Sequence, residues 1–320
     1  MVISKMRAND NQIGMIFIVI GMLIYSFHDL AVKIIAADTT IFQLFITRAF
    51  VGIIVTLSIL KFSNYNIKVI PFYPKLTLIR CVLMHFGFFV FFISLEKLSL
   101  STVTALFFAA PFFITILSAI ILSESIGFVR VLIIVLGFIG VFLIVKPFKE
   151  SEFSFFMLAP LFTAFCYAVA MVISKYTREN ENAFLQAFQQ YSVSLLLSIV
   201  TYLMILVFPL EYIDKEEWRF IFGSIQLDDY YILISIAILS IFGTLGITSL
   251  IHAYQVGSPI TNGPTEYVLL ILAIINGYFF FGNIPDYLSL TGITIIILGG
   301  CGLFFREHQR NKMKEKVSLT

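Results

Sequence analysis

The chain has 320 residues, of which 59% are hydrophobic and only 12% charged, with a mean hydropathy of +0.98 and a formal net charge of +2. Soluble domains carry about a quarter charged residues, so this composition has too little polar surface to cover a water-facing fold. The small net charge and the lack of a basic patch interleaved with aromatics exclude a nucleic-acid partner, and Cys81, Cys166 and Cys301, all in apolar runs without CxxC spacing, give no support to a disulfide framework.

About 20 apolar residues of helix cross a bilayer core. In chain order the apolar runs predict ten spans: Ile13–Ala36, Thr40–Leu60, Leu76–Leu95, Leu100–Leu122, Arg130–Val145, Phe155–Ser174, Ala183–Phe208, Tyr230–Tyr254, Ile260–Phe281 and Leu288–Phe305. The polar start MVISKMRANDNQ precedes a run too long for a signal-peptide core, so the first run reads as a span retained in the mature protein. The longest connection, Pro209–Asp229, is acidic and holds Trp218.

Lysine and arginine set the orientation. With the N-terminus in the cytoplasm, Lys61, Lys75, Arg80, Arg130, Lys175, Arg178 and the basic tail Arg306, Arg310, Lys312, Lys314 and Lys316 fall inside. The opposite side keeps Lys33, Lys97, Lys146, Lys149, Lys215 and Arg219. Both termini are thus expected inside a bacterial cytoplasmic (inner) membrane.

The two halves align weakly. Placing Tyr25 on Tyr167 puts Lys33 on Lys175; after one inserted residue Gln43 meets Gln186, Phe45 meets Phe188 and Arg48 meets Tyr191, and further on Gly140 meets Gly299. Five spans per half is odd, so the second half enters from the other side. The expected fold is an all-α integral membrane protein with ten transmembrane helices in two inverted five-helix repeats, residues 1–150 and 151–320, a plan frequent among secondary transporters.

Span 1 carries "YSFHDLAVK", with His28, Asp29 and Lys33 in apolar surroundings. Tyr25, Asp29 and Lys33 share one helix stripe at i, i+4 and i+8, and Lys33 is near enough to the end to snorkel. Asp29 lies roughly 10 Å and Arg48 roughly 12 Å from the same ends of spans 1 and 2, at 1.5 Å per residue, so the two meet at one level. The repeat places Ala170, Met171 and Tyr191 opposite His28, Asp29 and Arg48. Charges confined to one half point to a site. Each unpaired charge costs about 2.5–3.5 kcal/mol at mid-membrane. The alternatives are a structural Asp29–Arg48 clamp and a wet cavity in which the pair binds a polar substrate or a proton.

Further candidates follow along the chain. His85 in span 3 is a packing residue or a proton relay. Phe107 and Phe108 precede Pro111 in "FFAAPFF"; these rings face lipid or packing, or else Phe107 or Phe108 stacks a planar ring. Pro111 and Pro264 interrupt the related spans 4 and 9, and broken helices near a repeat interface mark transport sites. Tyr167 in span 6 and Gln186, Gln189, Gln190 and Tyr191 at the start of span 7 add polar atoms. Glu266 in "PTEYVLL" is the proton-coupling candidate, with Tyr267 beside it, unless it merely faces water. Gly137, Gly140, Gly243 and Gly246 permit close helix contact. The sequence has no HExxH, GxSxG, phosphate loop or Cys/His metal spacing, so no catalytic residue, metal or cofactor is expected.

"FFAAPFFITILSAIILSESIGFVRVLIIVLGFIGVFLIVKP" and "GPTEYVLLILAIINGYFFFGNIPDYLSLTGITIII" resemble the two half-closing stretches of EamA-type members of the drug/metabolite transporter superfamily. "HDLAVK…FQLFITR" is similar to the subgroup that includes S-adenosylmethionine uptake carriers, with Asn283 where an acid often precedes the subgroup's "PD". The resemblance implies alternating access without ATP hydrolysis. It implies functional motif positions at Asp29, Lys33, Arg48, Pro111, Glu124, Glu266 and Tyr267. The expected activity is uptake of a small polar metabolite, best S-adenosylmethionine, whose sulfonium suits Asp29 or Glu266 and whose adenine suits Phe or Tyr. An amino-acid or metabolite exporter and a riboflavin importer are alternatives within the fold. A lipid-modifying membrane enzyme is the alternative outside it. The expected partners are the substrate and the bilayer, with a homodimer left open.

Overall fold

The computed structural model describes residues 10–35, 39–64, 71–94, 97–98, 103, 106–124, 127–145, 155–207, 219–223, 225, 229–281 and 286–318. Every regular element among them is helical. We number the main helices α1 (Asp10–Ile35), α2 (Ile41–Phe62), α3 (Pro74–Ser94), α4 (Ala110–Ile121), α5 (Phe128–Val145), α6 (Leu158–Tyr176), α7 (Ala183–Val207), α8 (Tyr230–Val256), α9 (Pro259–Thr265), α10 (Val268–Phe281) and α11 (Tyr287–Ser318). Seven described stretches are long and apolar enough to cross a membrane: Asp10–His28, Ile41–Phe62, Pro74–Ser94, Phe155–Tyr176, Ala183–Val207, Tyr230–Val256 and Tyr287–Arg306.

Expected spans 4 and 9 depart from continuous long helices, whereas span 5 is one unbroken helix. The α4 helix has 12 residues, and Pro111 stands in its first turn, where its missing N–H costs nothing. Pro111 therefore starts a helix, and the interruption lies just before it at Phe108–Ala109. The α5 helix has 18 residues. Span 9 is two pieces, α9 and α10, separated at Glu266–Tyr267. Pro264 lacks the N–H that a continuing helix needs. The chain crosses the gap by tighter three-residue bonds: Glu266 N–H to Gly263 O (3.1 Å), Tyr267 to Pro264 (3.4 Å), Leu269 to Glu266 (3.0 Å) and Leu270 to Tyr267 (3.1 Å).

The helices divide their faces by a 3.6-residue period. On α1, Ile13, Ile16, Ile20, Leu23 and Phe27 are exposed while Met15, Ile18 and Met22 are buried. Such an apolar outer stripe suits lipid and not water. Packing is closest for α1 on α8, α3 on α6, α2 on α7 and α5 on α11. Small residues set these approaches. A Cβ at Gly292 of α11 would stand 2.5 Å from Gly140 O of α5, and one at Gly87 of α3 would stand 2.9 Å from Cys166 Cβ of α6. Gly137 receives the Tyr267 ring, whose Cε2 would lie 2.2 Å from an added Cβ.

The side chains of Asp29, Lys33 and Arg130, and Trp218 with residues 208–218, lie outside the described residues.

Candidate functional site

The break in span 9 places Glu266 in the interior, where it is 2% exposed. Its expected alternative, facing water, does not describe this position. Glu266 Oε1 accepts hydrogen bonds from Tyr167 Oη of α6 (2.6 Å) and Tyr254 Oη of α8 (2.7 Å). Both tyrosines are buried too. The sequence reading named Tyr167 but missed Tyr254. Its signal was available, because Tyr254 lies twelve residues before Glu266 across the tight α8–α9 turn. Phe107 stands over Tyr167, ring centroids 5.6 Å apart.

A second group adjoins the first along α8. Tyr25 of α1 lies against Gly246, to which an added Cβ would stand 3.0 Å from the ring, and its Oη approaches Gly243 O at 3.5 Å. His28 and Arg48 meet at Gly243, where an added Cβ would lie 3.3 Å from His28 Cδ2 and 3.4 Å from Arg48 Nη2. The Tyr25 and His28 rings are 5.7 Å apart, edge to face. Tyr25 packs against the core cluster that contains Tyr167 and Tyr254. Arg48, His28 and Tyr25 thus gather on α8 at Gly243 and Gly246, and Tyr167 and Tyr254 gather on Glu266.

The remaining candidates take other places. Pro111 lies on Gly263, whose added Cβ would stand 3.4 Å from the Pro111 Cα, so the two helix breaks adjoin. Tyr267 packs on Phe108, centroids 5.6 Å apart, and its buried Oη has no hydrogen-bond partner among the described residues. Tyr191 fills the space beside Gly52 of α2, and its Oη is likewise without a partner among the described residues. His85 sits between α2, α3 and α7. Its Nδ1 is 2.9 Å from Ser194 Oγ, with the Phe45, Phe86 and Phe89 rings around it. That is a packing environment, although Nε2 is buried and unpartnered.

A polar cluster at one end of the bundle escaped the sequence reading, which took its members as surface cations and a glutamine-rich helix opening. Lys175 Nζ donates to Gln255 O (3.0 Å), Val256 O (2.8 Å) and Gly257 O (2.7 Å), capping the C-terminus of α8. Arg178 Nη1 adds a bond to Gln255 O (2.9 Å). Arg80, 2% exposed, donates to Gln186 O (3.2 Å) and Gln189 Oε1 (2.8 Å). Gln255 Nε2 reaches Glu181 O at 2.8 Å. Ser258 Oγ donates to the Glu124 carboxylate, and Asn11 Oδ1 accepts from the Ser258 N–H at 2.8 Å. Isolated Lys and Arg are read from sequence as snorkelling cations, whereas here a helix terminus supplies their acceptors.

Among the described residues no group of three His, Cys, Asp or Glu side chains is placed to hold a metal ion.

Comparison with known proteins agrees with this picture. An S-adenosylmethionine uptake transporter of Rickettsia prowazekii (strain Madrid E) is 23% identical over 303 residues, covering 95% of this chain and 96% of the relative. The S-adenosylmethionine uptake transporter of Rickettsia bellii (strain RML369-C) is 24% identical over 309 residues, covering 96% and 97%. The pseudopaline exporter CntI of Pseudomonas aeruginosa is 23% identical over 208 residues, covering 65% and 67%. A solved crystal structure superimposes with a TM-score of 0.72 at 15% identity, over 92% of this chain and 98% of that one, so the fold is shared. The model of the EamA-like transporter family matches residues 12–146 and 154–305, nearly the whole chain, and the protein belongs to that family of multi-pass membrane transporters.

Proposed function

We propose that the protein is a secondary transporter that takes up a small polar organic metabolite, best S-adenosylmethionine, across a bacterial cytoplasmic membrane by alternating access. The observation that carries this reading is Glu266, buried between the Tyr167 and Tyr254 hydroxyls at a helix break, with Tyr25 packed against the same core cluster. Glu266 and Arg48 together suit a substrate bearing both charges, such as the aminocarboxyl and sulfonium groups of the proposed metabolite. The names of the Rickettsia relatives support the substrate, and the exporter among the relatives makes direction a matter for the assay.

Ten spans in two inverted halves, residues 1–150 and 151–320, accompany this reading. Packing supports it. If span 1 corresponds to span 6 and span 3 to span 8, then α1 on α8 and α3 on α6 are one contact made twice. The α2–α7 and α5–α11 pairs correspond to themselves. The breaks of spans 4 and 9 adjoin at Pro111 and Gly263, and the two family matches, residues 12–146 and 154–305, divide the chain near residue 150. Both termini are placed in the cytoplasm by the lysine and arginine bias, so the Lys175 cluster closes the cytoplasmic end.

The test is uptake of radiolabelled S-adenosylmethionine into vesicles and into proteoliposomes holding the purified chain. Saturable uptake, chased by excess unlabelled compound, is expected. Its absence, with saturable flux of an amino acid or riboflavin instead, replaces the substrate. Chemical change of the label inside the vesicle overturns transport in favour of an enzyme.

A further inference from the structure

Among the described residues, the side chains that hydrogen-bond Glu266 are Tyr167 and Tyr254, and no lysine or arginine is paired with it. Both hydroxyls go to Oε1, and Oε2 takes no hydrogen bond from the described residues. A carboxylate so deeply buried needs a counter-charge. Where the protein fixes none, the charge arrives with a proton or with a ligand.

The approach to Glu266 is aromatic. Phe91, near the end of α3, and Phe88, one turn back, are half-buried. Their centroids lie 5.7 Å and 6.0 Å from that of Phe107, and Phe107 lies 5.6 Å from Tyr167. The rings step from the α3 terminus to the hydroxyl that holds the carboxylate. None of these pairs is stacked face to face. Ring faces attract cations, most strongly those freed of water.

The type of cation follows from the acceptors. A primary ammonium brings three N–H donors, and with Oε1 engaged twice only Oε2 of the carboxylate is left to accept them. Calcium needs six or more oxygen ligands and magnesium near-octahedral geometry, which two donating hydroxyls and one carboxylate do not provide, and among the described residues no group of three His, Cys, Asp or Glu is placed to hold another metal ion. A sulfonium or quaternary ammonium has no N–H to satisfy, spreads its charge over methyl and methylene groups, and needs only a counter-charge and apolar or aromatic walls.

We propose that Glu266, held by Tyr167 and Tyr254, and the Phe91–Phe107 rings form a subsite for an onium group. Glu266, and not Asp29, neutralises the sulfonium of the transported metabolite. The substrate assignment in this statement rests on the transport reading above; the onium preference does not.

The experiment measures equilibrium binding to the purified full chain in lipid nanodiscs. S-adenosylmethionine is compared with S-adenosylhomocysteine, which lacks one methyl and the positive charge, and with S-methylmethionine, a sulfonium without the nucleoside. Wild type is expected to bind S-adenosylmethionine about tenfold or more tighter than S-adenosylhomocysteine. Glu266→Gln is expected to bring that ratio near one. Phe107→Leu, which keeps apolar bulk but removes the ring face, is expected to lower it several-fold and serves if the first variant fails to fold. Equal affinities in wild type, or a ratio unchanged in either folded variant, overturn the onium subsite and leave the transport reading standing. Binding of S-methylmethionine that depends on Glu266, with no binding of either nucleoside, upholds the subsite and overturns the substrate assignment. Binding of none of the three overturns both.

Discussion

Replacing Lys175 by Met tests whether the polar cluster is a latch. Its ammonium uses all three N–H groups on Gln255, Val256 and Gly257 carbonyls at 2.7–3.0 Å. Hydrogen bonds from a charged donor contribute about 1.5–3 kcal/mol each, but Arg178 retains one of the three acceptors and Met keeps the apolar stem. A net loss of about 3 kcal/mol is the reasonable middle of that range, and about 1.4 kcal/mol per decade makes it roughly a hundredfold rise in the open population. Thr261 of α9 lies fully buried beneath Ser258 and serves as the reporter. In a chain freed of Cys81, Cys166 and Cys301, a Thr261→Cys thiol should react with a membrane-impermeant maleimide about a hundredfold faster when Lys175→Met is added. An unchanged rate, with normal abundance, would refute the latch and leave Lys175 as a passive helix cap.

Gly137→Val should destabilise the chain by about 1–3 kcal/mol through overpacking, because the Tyr267 ring already occupies the space its side chain needs; thermal unfolding in detergent measures this, and unaltered stability would count against the close α5–Tyr267 contact. Asp29→Asn should reach the membrane in normal amounts and lose flux; reduced abundance would instead favour a clamp with Arg48, and normal abundance with normal flux would remove both roles. Glu266→Gln should flatten the dependence of transport on pH, since it replaces the buried carboxylate that accepts from Tyr167 and Tyr254 with a group that takes up no proton; if wild-type flux ignores both pH and a proton gradient, exchange or facilitated diffusion takes the place of proton coupling.

The long helices were legible because lipid-facing surface must be apolar over a whole span, a constraint written into consecutive residues. The broken ones were only partly legible. Pro264 announced a gap in span 9, yet Pro111 opens a helix rather than kinking one, and only the carbonyls around it decide between the two. Glu266 was found because a carboxylate in an apolar run is conspicuous. Tyr254 was overlooked because a tyrosine near a helix end reads as an interface anchor, and its role appears only once the α8–α9 turn brings Glu266 beneath it. Arg80 and Lys175 were read as surface cations for a related reason: their partners are largely backbone carbonyls, which every sequence has and none displays.

Site and latch are also joined through the chain. Lys175 and Arg178 hold the last carbonyls of α8, Ser258 follows at once and binds Glu124, the seven-residue α9 comes next, and Glu266 ends it. Asn262, midway along α9, donates back to Ala253 O at 2.6 Å, tying the short helix to the capped terminus. A rigid piece this short transmits a tilt at either end to the other. On the transport reading, neutralising Glu266 removes the reason for its carboxylate to keep both tyrosine hydroxyls, and α9 is freed to shift under Ser258. Arrival of a cation at one end of α9 and release of a helix cap at the other then become a single motion, and that is what alternating access requires of a buried site.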